Sequence, residues 1–219
     1  MNIANNIDHT MLKADAGKNK ILSYCEEAKE NGFASVCVNT CYVKLVASEL
    51  KESEVKTCCV VGFPLGAMST EAKAYEAKKA VEDGADEVDM VINIGAVKDL
   101  DWDYVRTDIE AVVKASKPAI VKVIIETCLL TDEEKKAMCK AVTAAGADYI
   151  KTSTGFSAGG ATREDVALFK AHVASHVKIK AAGGISSLQD AEDFMALGAD
   201  RLGTSRIVKL VKGEHAEGY

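Results

Sequence analysis

Lysine and aspartate side chains interrupt several short apolar segments, and together they could carry out carbonyl chemistry. Lys151 follows Tyr149 and Ile150 in "DYIKTS", Lys180 lies in "VKIKAA", and Asp89 lies in "DEVDMVIN". A lysine that is buried or beside a second cation loses its proton more easily, and it can then attack a carbonyl carbon to form a Schiff base. An aspartate can relay protons to and from the same substrate.

Short β-branched segments alternate along the chain with longer segments rich in Ala, Glu and Lys. This order is typical of βαβ units that build a parallel sheet. The predicted strands span residues 34–39, 55–63, 86–93, 119–126, 148–153, 177–182 and 200–205, with a short eighth strand at 5–10. The predicted helices span residues 41–51, 69–83, 101–116, 131–145, 162–175, 187–197 and 204–212.

Start and stop signals support these helices. Thr131 and Glu134 have the spacing of a capping box, in which the two side chains satisfy free N–H groups at a helix start. Ser187 and Asp190 form a weaker version of the same motif. Gly-Ala-Asp occurs at 84–86, 146–148 and 198–200, each time between a predicted helix and the next strand. Glycine at this place permits the left-handed conformation that ends a helix.

Eight βα units in 219 residues predict an α/β protein with the fold of a (β/α)8 TIM barrel. We expect one catalytic domain over residues 1–219, with a short polar tail at about 212–219. The alternative is an open doubly wound sheet. The barrel is favoured because neither G-x-G-x-x-G nor G-x-x-x-x-G-K-[ST] follows any predicted strand.

Charged residues occupy the strand faces that would point into the barrel. Alternation along a strand places one set of side chains against the helices and the other set inside. The inward set is predicted to contain Cys37, Asn39, Asp89, Lys122, Ile124, Glu126, Tyr149, Lys151, Lys178 and Lys180. The alternative is that the charges lie on exposed edges or form structural ion pairs. A shared interior is favoured because unpaired buried charges are too costly to collect by chance.

Glycine-rich turns follow the last three predicted strands, as "STGFSAGG" after Lys151, "AGGISS" after Lys180 and "GTSR" at 203–206. Turns that run into helix N-termini offer backbone N–H groups to a phosphate, and barrels often bind phosphate in the loops after their last strands. The alternative is ordinary turn formation. A Schiff-base lysine beside a phosphate site indicates an aldolase that acts on a sugar phosphate.

Composition argues against several other classes of protein. The formal net charge of −6 does not suit a nucleic-acid-binding surface. No segment approaches the ~20 apolar residues that span a membrane. The N-terminal "MNIANNIDHTMLK" lacks the basic-then-apolar order of a signal peptide. The seven cysteines are interpreted as reduced thiols rather than a disulfide framework. We therefore expect a cytoplasmic protein.

No metal and no cofactor are expected. His172 and His176 have i,i+4 spacing, but "HVASH" lacks the glutamate of the H-E-x-x-H zinc motif. Cys37 and Cys41 form an equally weak pair. In a Schiff-base mechanism the iminium itself serves as the electron sink.

Ordered motifs over nearly the whole chain resemble those of the deoxyribose-phosphate aldolases, which are class I aldolases on a (β/α)8 barrel. The motifs are "IDHTMLK" (7–13), "VCVN" (36–39), "VVGFPLGA" (60–67), "GADEVDMVINIGA" (84–96), "KVIIET" (122–127), "YIKTSTGF" (149–156), "KAAGGIS" (180–186) and "LGTS" (202–205). The resemblance implies reversible cleavage of 2-deoxy-D-ribose 5-phosphate to D-glyceraldehyde 3-phosphate and acetaldehyde, in the catabolism of deoxyribonucleosides. The partners would be small sugar phosphates and aldehydes.

The resemblance also implies roles for individual residues. Lys151 would form the Schiff base, Asp89 would relay protons, and Lys180 would make Lys151 easier to deprotonate. The residues lining the same pocket would be Asp8, Cys37, Lys122 and Thr154. Those of the phosphate-binding turns would be Gly155, Gly183, Gly184, Gly203 and Ser205.

The sequence departs from the family pattern at two positions. Ala14 replaces a frequent proline, and Ser186 replaces an arginine that commonly follows Gly-Gly-[Ile/Val]. The second change removes a cation near the phosphate, for which Arg206 is a candidate replacement. Tyr219 at the chain end is a candidate for proton exchange at the enamine carbon, with a disordered tail as the alternative.

Two other functions remain open at this point. A transaldolase-like Schiff-base enzyme would differ in its acceptors, and a non-catalytic sugar-phosphate binder would tolerate the loss of Lys151. The presence of Lys151, Lys180 and Asp89 together argues against the non-catalytic binder. We expect a homo-oligomer, either a dimer or a tetramer.

Overall fold

The structure is a computed structural model that describes residues 3–204. Eight parallel strands follow one another in chain order and close into a barrel, because the last strand pairs with the first. The strands are β1 (Ile7–Met11), β2 (Ser35–Asn39), β3 (Lys56–Val61), β4 (Glu87–Val91), β5 (Ile120–Ile124), β6 (Tyr149–Lys151), β7 (Lys178–Ala182) and β8 (Arg201–Thr204). The predicted (β/α)8 barrel is confirmed, and the open sheet is wrong.

Helices surround the barrel on its outside. They are α1 (Lys18–Asn31), α2 (Val43–Leu50), α3 (Thr70–Glu82), the short α4 (Ile94–Lys98), α5 (Trp102–Ser116), α6 (Asp132–Ala144), α7 (Arg163–His172) and α8 (Leu188–Ala196). Within residues 3–204, none of them combines the length and apolar character needed to cross a lipid bilayer. The helix predicted at 204–212 and the tail predicted at about 212–219 lie outside the described residues, apart from Thr204.

The first helix, α1, is a large element that the sequence analysis misses. Its buried residues Ile21, Tyr24, Cys25 and Ala28 have the i, i+3, i+4, i+7 spacing of an amphipathic helix. Apart from Leu22 the rest of the segment is polar, and the N-cap Gly17 makes no side-chain hydrogen bond. The segment therefore lacks both an apolar run and a start signal, although its apolar stripe contacts β1 and β2.

Side-chain caps begin two helices at the places that the sequence predicts. Thr131 Oγ1 accepts the N–H of Glu134, and the Glu134 carboxylate accepts the N–H of Thr131, at the start of α6. Ser187 and Asp190 form the same reciprocal motif at the start of α8. Each capping box satisfies two N–H groups that a helix otherwise leaves free, so both predictions are confirmed.

The three Gly-Ala-Asp triplets end helices and begin strands. Gly84, Gly146 and Gly198 have φ angles of +108°, +72° and +105°, a backbone region that glycine adopts readily and other residues avoid. This conformation turns the chain from α3, α6 and α8 into β4, β6 and β8, respectively. The predicted role of these glycines is confirmed.

The aspartate of each triplet joins its own strand to the strand before it. The Oδ2 atoms accept backbone N–H groups at 2.8 to 2.9 Å, Asp86 from Thr57, Asp148 from Val121 and Asp200 from Ile179. The backbone carbonyls of Asp86 and Asp148 also accept the N–H groups of the first residues of β5 and β7. These contacts fix neighbouring strands at the N-terminal end of the barrel.

Apolar packing is concentrated between the strands and the helices. The outward residues of β4, such as Val88 and Met90, are completely buried there. A small second apolar cluster consists of Leu12, Cys37, Cys58 and Val60, with Phe63 packed against it.

Asp148 provides a test of how these aspartates stabilise the barrel. We expect Asp148→Ala to lower the free energy of unfolding by about 1–2 kcal/mol, because the buried N–H of Val121 loses its acceptor. Asp148→Asn keeps a side-chain oxygen and should lose less. Urea unfolding followed by circular dichroism measures both variants. Equal stability of the alanine variant and the parent would contradict this role.

Candidate active site

Asp89 lies at the centre of a cluster of charged side chains inside the barrel. Its Oδ2 atom accepts hydrogen bonds from Lys151 Nζ and Lys180 Nζ, each at 2.7 Å. Its Oδ1 atom accepts one from Lys122 Nζ at 2.8 Å. These four side chains come from four consecutive strands, β4 to β7, and all are buried. The barrel thus brings together charged residues that are far apart in the sequence.

Two further acids and an arginine extend this cluster toward the N-terminal end of the barrel. Lys180 Nζ lies 2.5 Å from Asp8 Oδ2, and Lys122 Nζ lies 2.5 Å from Glu87 Oε2. Arg201 contacts both acids, at 2.6 Å from Asp8 Oδ1 and 3.1 Å from Glu87 Oε1. Lys122 and Lys180 therefore have carboxylate partners on two strands, β1 and β4.

Glu87 and Arg201 are part of the cluster, yet the sequence analysis does not assign them to the site. The signal is present, because Glu87 lies two residues before Asp89 and Arg201 lies two residues before Gly203. Strand alternation places both side chains on the inward face. Applying the alternation rule to every strand would have found them.

Basic side chains outnumber acidic ones in the cluster, as far as residues 3–204 show it. The acids are Asp8, Glu87 and Asp89, and the bases are Lys122, Lys151, Lys180 and Arg201. Within the same residues, Lys151 has a single carboxylate partner, Asp89, and it shares that oxygen with Lys180. Loss of one proton from a lysine would make the cluster electrically neutral.

The ion pairs keep the central acid and two of the lysines charged. Burial alone would raise the pKa of the Asp89 carboxyl, but three lysine charges outweigh burial and hold that pKa well below its usual value. The pKa of Asp8 is lowered as well, because Lys180 and Lys122 outweigh burial. Burial favours neutral lysines, yet the facing carboxylates raise the pKa of Lys180 and that of Lys122.

Two thiols lie against this cluster. Cys37 and Cys58 are register partners on β2 and β3, and Cys58 Sγ lies 3.3 Å from Asp89 Oδ1 and 3.4 Å from Lys122 Nζ. A hydrogen bond from Cys58 lowers the pKa of Cys37, whereas burial raises the pKa of Cys58 well above its usual value. The two sulfurs and the Asp89 carboxylate lie within 4.8 Å of one another. The ammonium of Lys122 already supplies a cation to this group.

Lys151 connects the cluster to a cavity. It is the last residue of β6, and its side chain is 3% exposed. A cavity of about 250 Å³ lies at the C-terminal end of the barrel, the end at which barrel enzymes carry their active sites. Of the three lysines bonded to Asp89, Lys151 is the one that lines this cavity. Thr154, which follows the same strand, lines it too.

Glycine turns form one wall of the cavity. Gly155, Gly183 and Gly184 line it and have φ angles of +82°, +80° and +74°. Within residues 3–204, the backbone N–H groups of these glycines have no hydrogen-bond acceptor, so they are available to an anion. Gly203 also lines the cavity, and a Cβ atom there would lie 3.2 Å from Lys180 Cε. Glycine at this position leaves room for the lysine.

Three of the predicted site residues, Ser205, Arg206 and Tyr219, lie outside the described residues. Ser186 is described, and its N–H and hydroxyl both donate to Asp190 Oδ2, at 3.2 and 3.0 Å. Ser186 therefore supports the start of α8.

Two residues of the predicted inward set lie elsewhere. Lys178 begins β7 and is exposed, with its ammonium 5.7 Å from the centre of the Tyr149 ring. Alternation along β7 gives Lys178 the same face as Lys180, but Lys178 lies at the N-terminal end of the barrel, so it does not join the cluster. Glu126 lies beyond the end of β5 at Ile124, and its φ of +53° shows that the strand conformation has already ended. The prediction for Glu126 is wrong because β5 ends before it. Lys178 takes the predicted face of β7 but is exposed because it is the first residue of the strand.

Asp89→Asn tests how strongly the central carboxylate holds the cluster together. We expect the variant to lose about 3 kcal/mol of unfolding free energy at neutral pH, because buried ammonium groups lose their partner. The folded-state pKa of Asp89 is depressed, so its contribution is present above the ordinary carboxyl pKa of about 3.9 and is lost as the pH falls below that value. The difference between parent and variant should shrink in acid.

Urea unfolding of parent and variant at pH values from neutral to below 3.9 measures this difference. Asp103→Asn is the matched control, because the Asp103 side chain is 97% exposed. A stability difference for Asp89→Asn that stays constant over the whole pH range would show that ionisation of Asp89 does not stabilise the fold.

Comparisons with known proteins agree with this arrangement. The family model described as "DeoC/LacD family aldolase" matches residues 3–202. Deoxyribose-phosphate aldolase from Finegoldia magna is 58% identical over 94% of this chain and 97% of its own. Deoxyribose-phosphate aldolase from Bacillus subtilis is 54% identical over 100% of this chain and 98% of its own.

A solved structure extends the likeness to the fold. The tetrameric deoxyribose phosphate aldolase from Aeropyrum pernix is 32% identical and covers 96% of this chain and 91% of its own, with a TM-score of 0.88. Family match, identity over almost the full length and barrel geometry lead to one conclusion: the chain belongs to the DeoC/LacD family of aldolases.

Proposed function

We propose that this chain is a class I aldolase that reversibly cleaves 2-deoxy-D-ribose 5-phosphate to D-glyceraldehyde 3-phosphate and acetaldehyde. The observation that carries the proposal is the position of Lys151, which is bonded to the buried Asp89 at one side and lines the cavity at the other. The names of relatives at 54 to 58% identity support the same activity.

Lys151 is the base that gives up a proton before the reaction. A lysine is nucleophilic only as the neutral amine. The cluster has one base more than it has acids, and Lys151 has the fewest carboxylate contacts of its four bases within residues 3–204. Lys180, held as an ammonium by Asp8 and Asp89, contacts the same Asp89 oxygen.

The chemical steps use the residues around Lys151. The Lys151 amine attacks the C1 carbonyl of the open-chain sugar, and loss of water gives an iminium. Asp89 Oδ2, which lies 2.7 Å from Lys151 Nζ, is the carboxylate oxygen beside the iminium and is placed to accept a proton from the substrate. Asp89, with Lys180 and a water molecule, takes the proton of the C3 hydroxyl as the C2–C3 bond breaks. The electron pair of that bond moves into the iminium.

The products leave in two stages. Bond cleavage releases D-glyceraldehyde 3-phosphate and leaves an enamine on Lys151. The enamine carbon takes up a proton, and water hydrolyses the iminium to acetaldehyde and the free lysine. The phosphate of the substrate is proposed to bind the N–H groups of Gly155, Gly183 and Gly184, which have no acceptor within residues 3–204. Tyr219, Ser205 and Arg206 remain candidates for the parts of the site outside the described residues.

The proposal includes the setting in which the enzyme works. We expect one catalytic domain over residues 1–219, with its polar tail at about 212–219, acting on small sugar phosphates and aldehydes in the cytoplasm during deoxyribonucleoside catabolism. We also expect a homo-oligomer, as in the tetrameric relative from Aeropyrum pernix; light scattering of the purified protein measures the mass.

Borohydride trapping tests the Schiff base. Incubation with 2-deoxy-D-ribose 5-phosphate and borohydride should reduce the iminium to a stable adduct on Lys151, which mass spectrometry of the peptides locates. Lys151→Ala should form no adduct and lose at least about 1000-fold in kcat, because no other lysine lines the cavity within residues 3–204. Lys178→Ala, an exposed lysine of the next strand, is the control. Full activity of Lys151→Ala would overturn the mechanism.

Lys180→Leu tests the role of the second lysine. Removing the ammonium next to Asp89 should let Lys151 hold its proton more tightly, so the pH at which cleavage becomes fast should rise. The pH dependence of kcat/KM measures the shift. An unchanged pH profile would remove Lys180 from its proposed role, even if the rate itself fell.

A further inference from the structure

Glu126 is a buried acid that the mechanism above does not use. It lies directly beyond β5, is 2% exposed and has a φ of +53°. Few residues other than glycine adopt this left-handed conformation unless the surrounding structure holds them there. The next residue is anchored to the neighbouring loop, because the N–H of Thr127 donates to the carbonyl of Thr152 at 2.9 Å. The unusual backbone therefore directs the Glu126 side chain toward the loop that follows Lys151.

The Glu126 carboxylate binds Thr154 through both its backbone and its side chain. The Thr154 N–H lies 3.3 Å from both carboxylate oxygens, and the Thr154 hydroxyl donates to Oε2. The same hydroxyl accepts the N–H of Phe156 at 3.0 Å. A chain of hydrogen bonds thus runs from Phe156 through Thr154 to the buried carboxylate.

These hydrogen bonds distinguish the N–H of Gly155 from the N–H groups on either side of it. The N–H groups of Thr154 and Phe156 are used inside the protein, on either side of Gly155. Within residues 3–204, the N–H of Gly155 has no acceptor, and Gly155 lines the cavity. The turn therefore keeps one amide for a ligand while its two neighbours are held in place.

We infer that Glu126 is a positioning residue for the phosphate of the substrate, acting through Thr154 on the turn formed by residues 154–156. By fixing this turn, Glu126 makes the site favour phosphorylated over unphosphorylated sugars. The inference rests on the proposed function. A carboxylate suits this task because the N–H and O–H of Thr154 converge on it and both of its oxygens accept, whereas a glutamine would turn a donor NH2 group toward one of these donors.

Glu126→Gln is the direct test, since it keeps the shape of the side chain and replaces one acceptor oxygen by a donor group. The quantity to measure is kcat/KM for 2-deoxy-D-ribose 5-phosphate divided by kcat/KM for 2-deoxy-D-ribose. We expect this ratio to fall about 10-fold or more, chiefly through a higher KM for the phosphorylated sugar. Glu133→Gln, an exposed glutamate on α6, is the matched control and should leave the ratio unchanged.

Variants of Thr154 separate positioning from a general loss of structure. Thr154→Val removes the hydroxyl and should lower the same ratio, whereas Thr154→Ser keeps the hydroxyl and should retain most of it. Adding Glu126→Gln to Thr154→Val should lower the ratio by less than Glu126→Gln does alone, because both act through one chain of hydrogen bonds. A ratio that stays constant in Glu126→Gln and in Thr154→Val, with both substrates affected alike, would overturn the inference.

Trapping with acetaldehyde distinguishes this inference from the proposed function. Acetaldehyde carries no phosphate, so borohydride should still give an adduct on Lys151 in Glu126→Gln. An adduct with an unchanged substrate ratio would contradict only the role of Glu126. Absence of the adduct in the parent protein would contradict the Schiff-base mechanism itself.

Discussion

The arrangement of this site depends on the ion pairs that the Asp89 carboxylate makes with lysines. Three ammonium groups from three neighbouring strands converge on its two oxygens. Lysines buried in a barrel interior are tolerated only when carboxylates face them, and an unpartnered charge there would be expelled or neutralised. Asp8, Glu87 and Arg201 complete the pairing toward the N-terminal end of the barrel. The charged side chains of the interior are therefore held in ion pairs, and Lys151 is the lysine of this cluster that lines the cavity.

The barrel arranges three different environments along its axis. Charged pairs fill the interior, Lys151 lies where these pairs meet the cavity, and glycine turns line the cavity above it. Each environment suits one part of the proposed chemistry: paired charges influence protonation, a lysine at the cavity suits a Schiff base, and amides without an acceptor in residues 3–204 suit an anion. Short parallel strands bring the three within reach because their C-terminal ends open at the same face.

Sequence reasoning predicts the parts of this site that follow from strand periodicity. Asp89, Lys122 and Lys180 share the interior because alternation fixes which face each side chain takes. Glu87 and Arg201 follow the same alternation, so it also predicts that their side chains point inward. Alternation does not tell how far along the barrel axis a side chain lies, which is why Lys178 is exposed although it takes the inward face of β7. Glu126 depends on a left-handed backbone and on contacts with a loop distant in sequence, and no local pattern encodes either.

The aspartates of the Gly-Ala-Asp triplets have a consequence for how the enzyme can change. Each ties its strand to the one before it, and Asp86 and Asp148 also hold the strand that follows. All three act at the N-terminal end of the barrel, whereas the cavity lies at the C-terminal end. The residues that fix strand register are thus separate from those that line the cavity. The loops that line the cavity can therefore vary without removing the contacts that hold the strands in order at the opposite end.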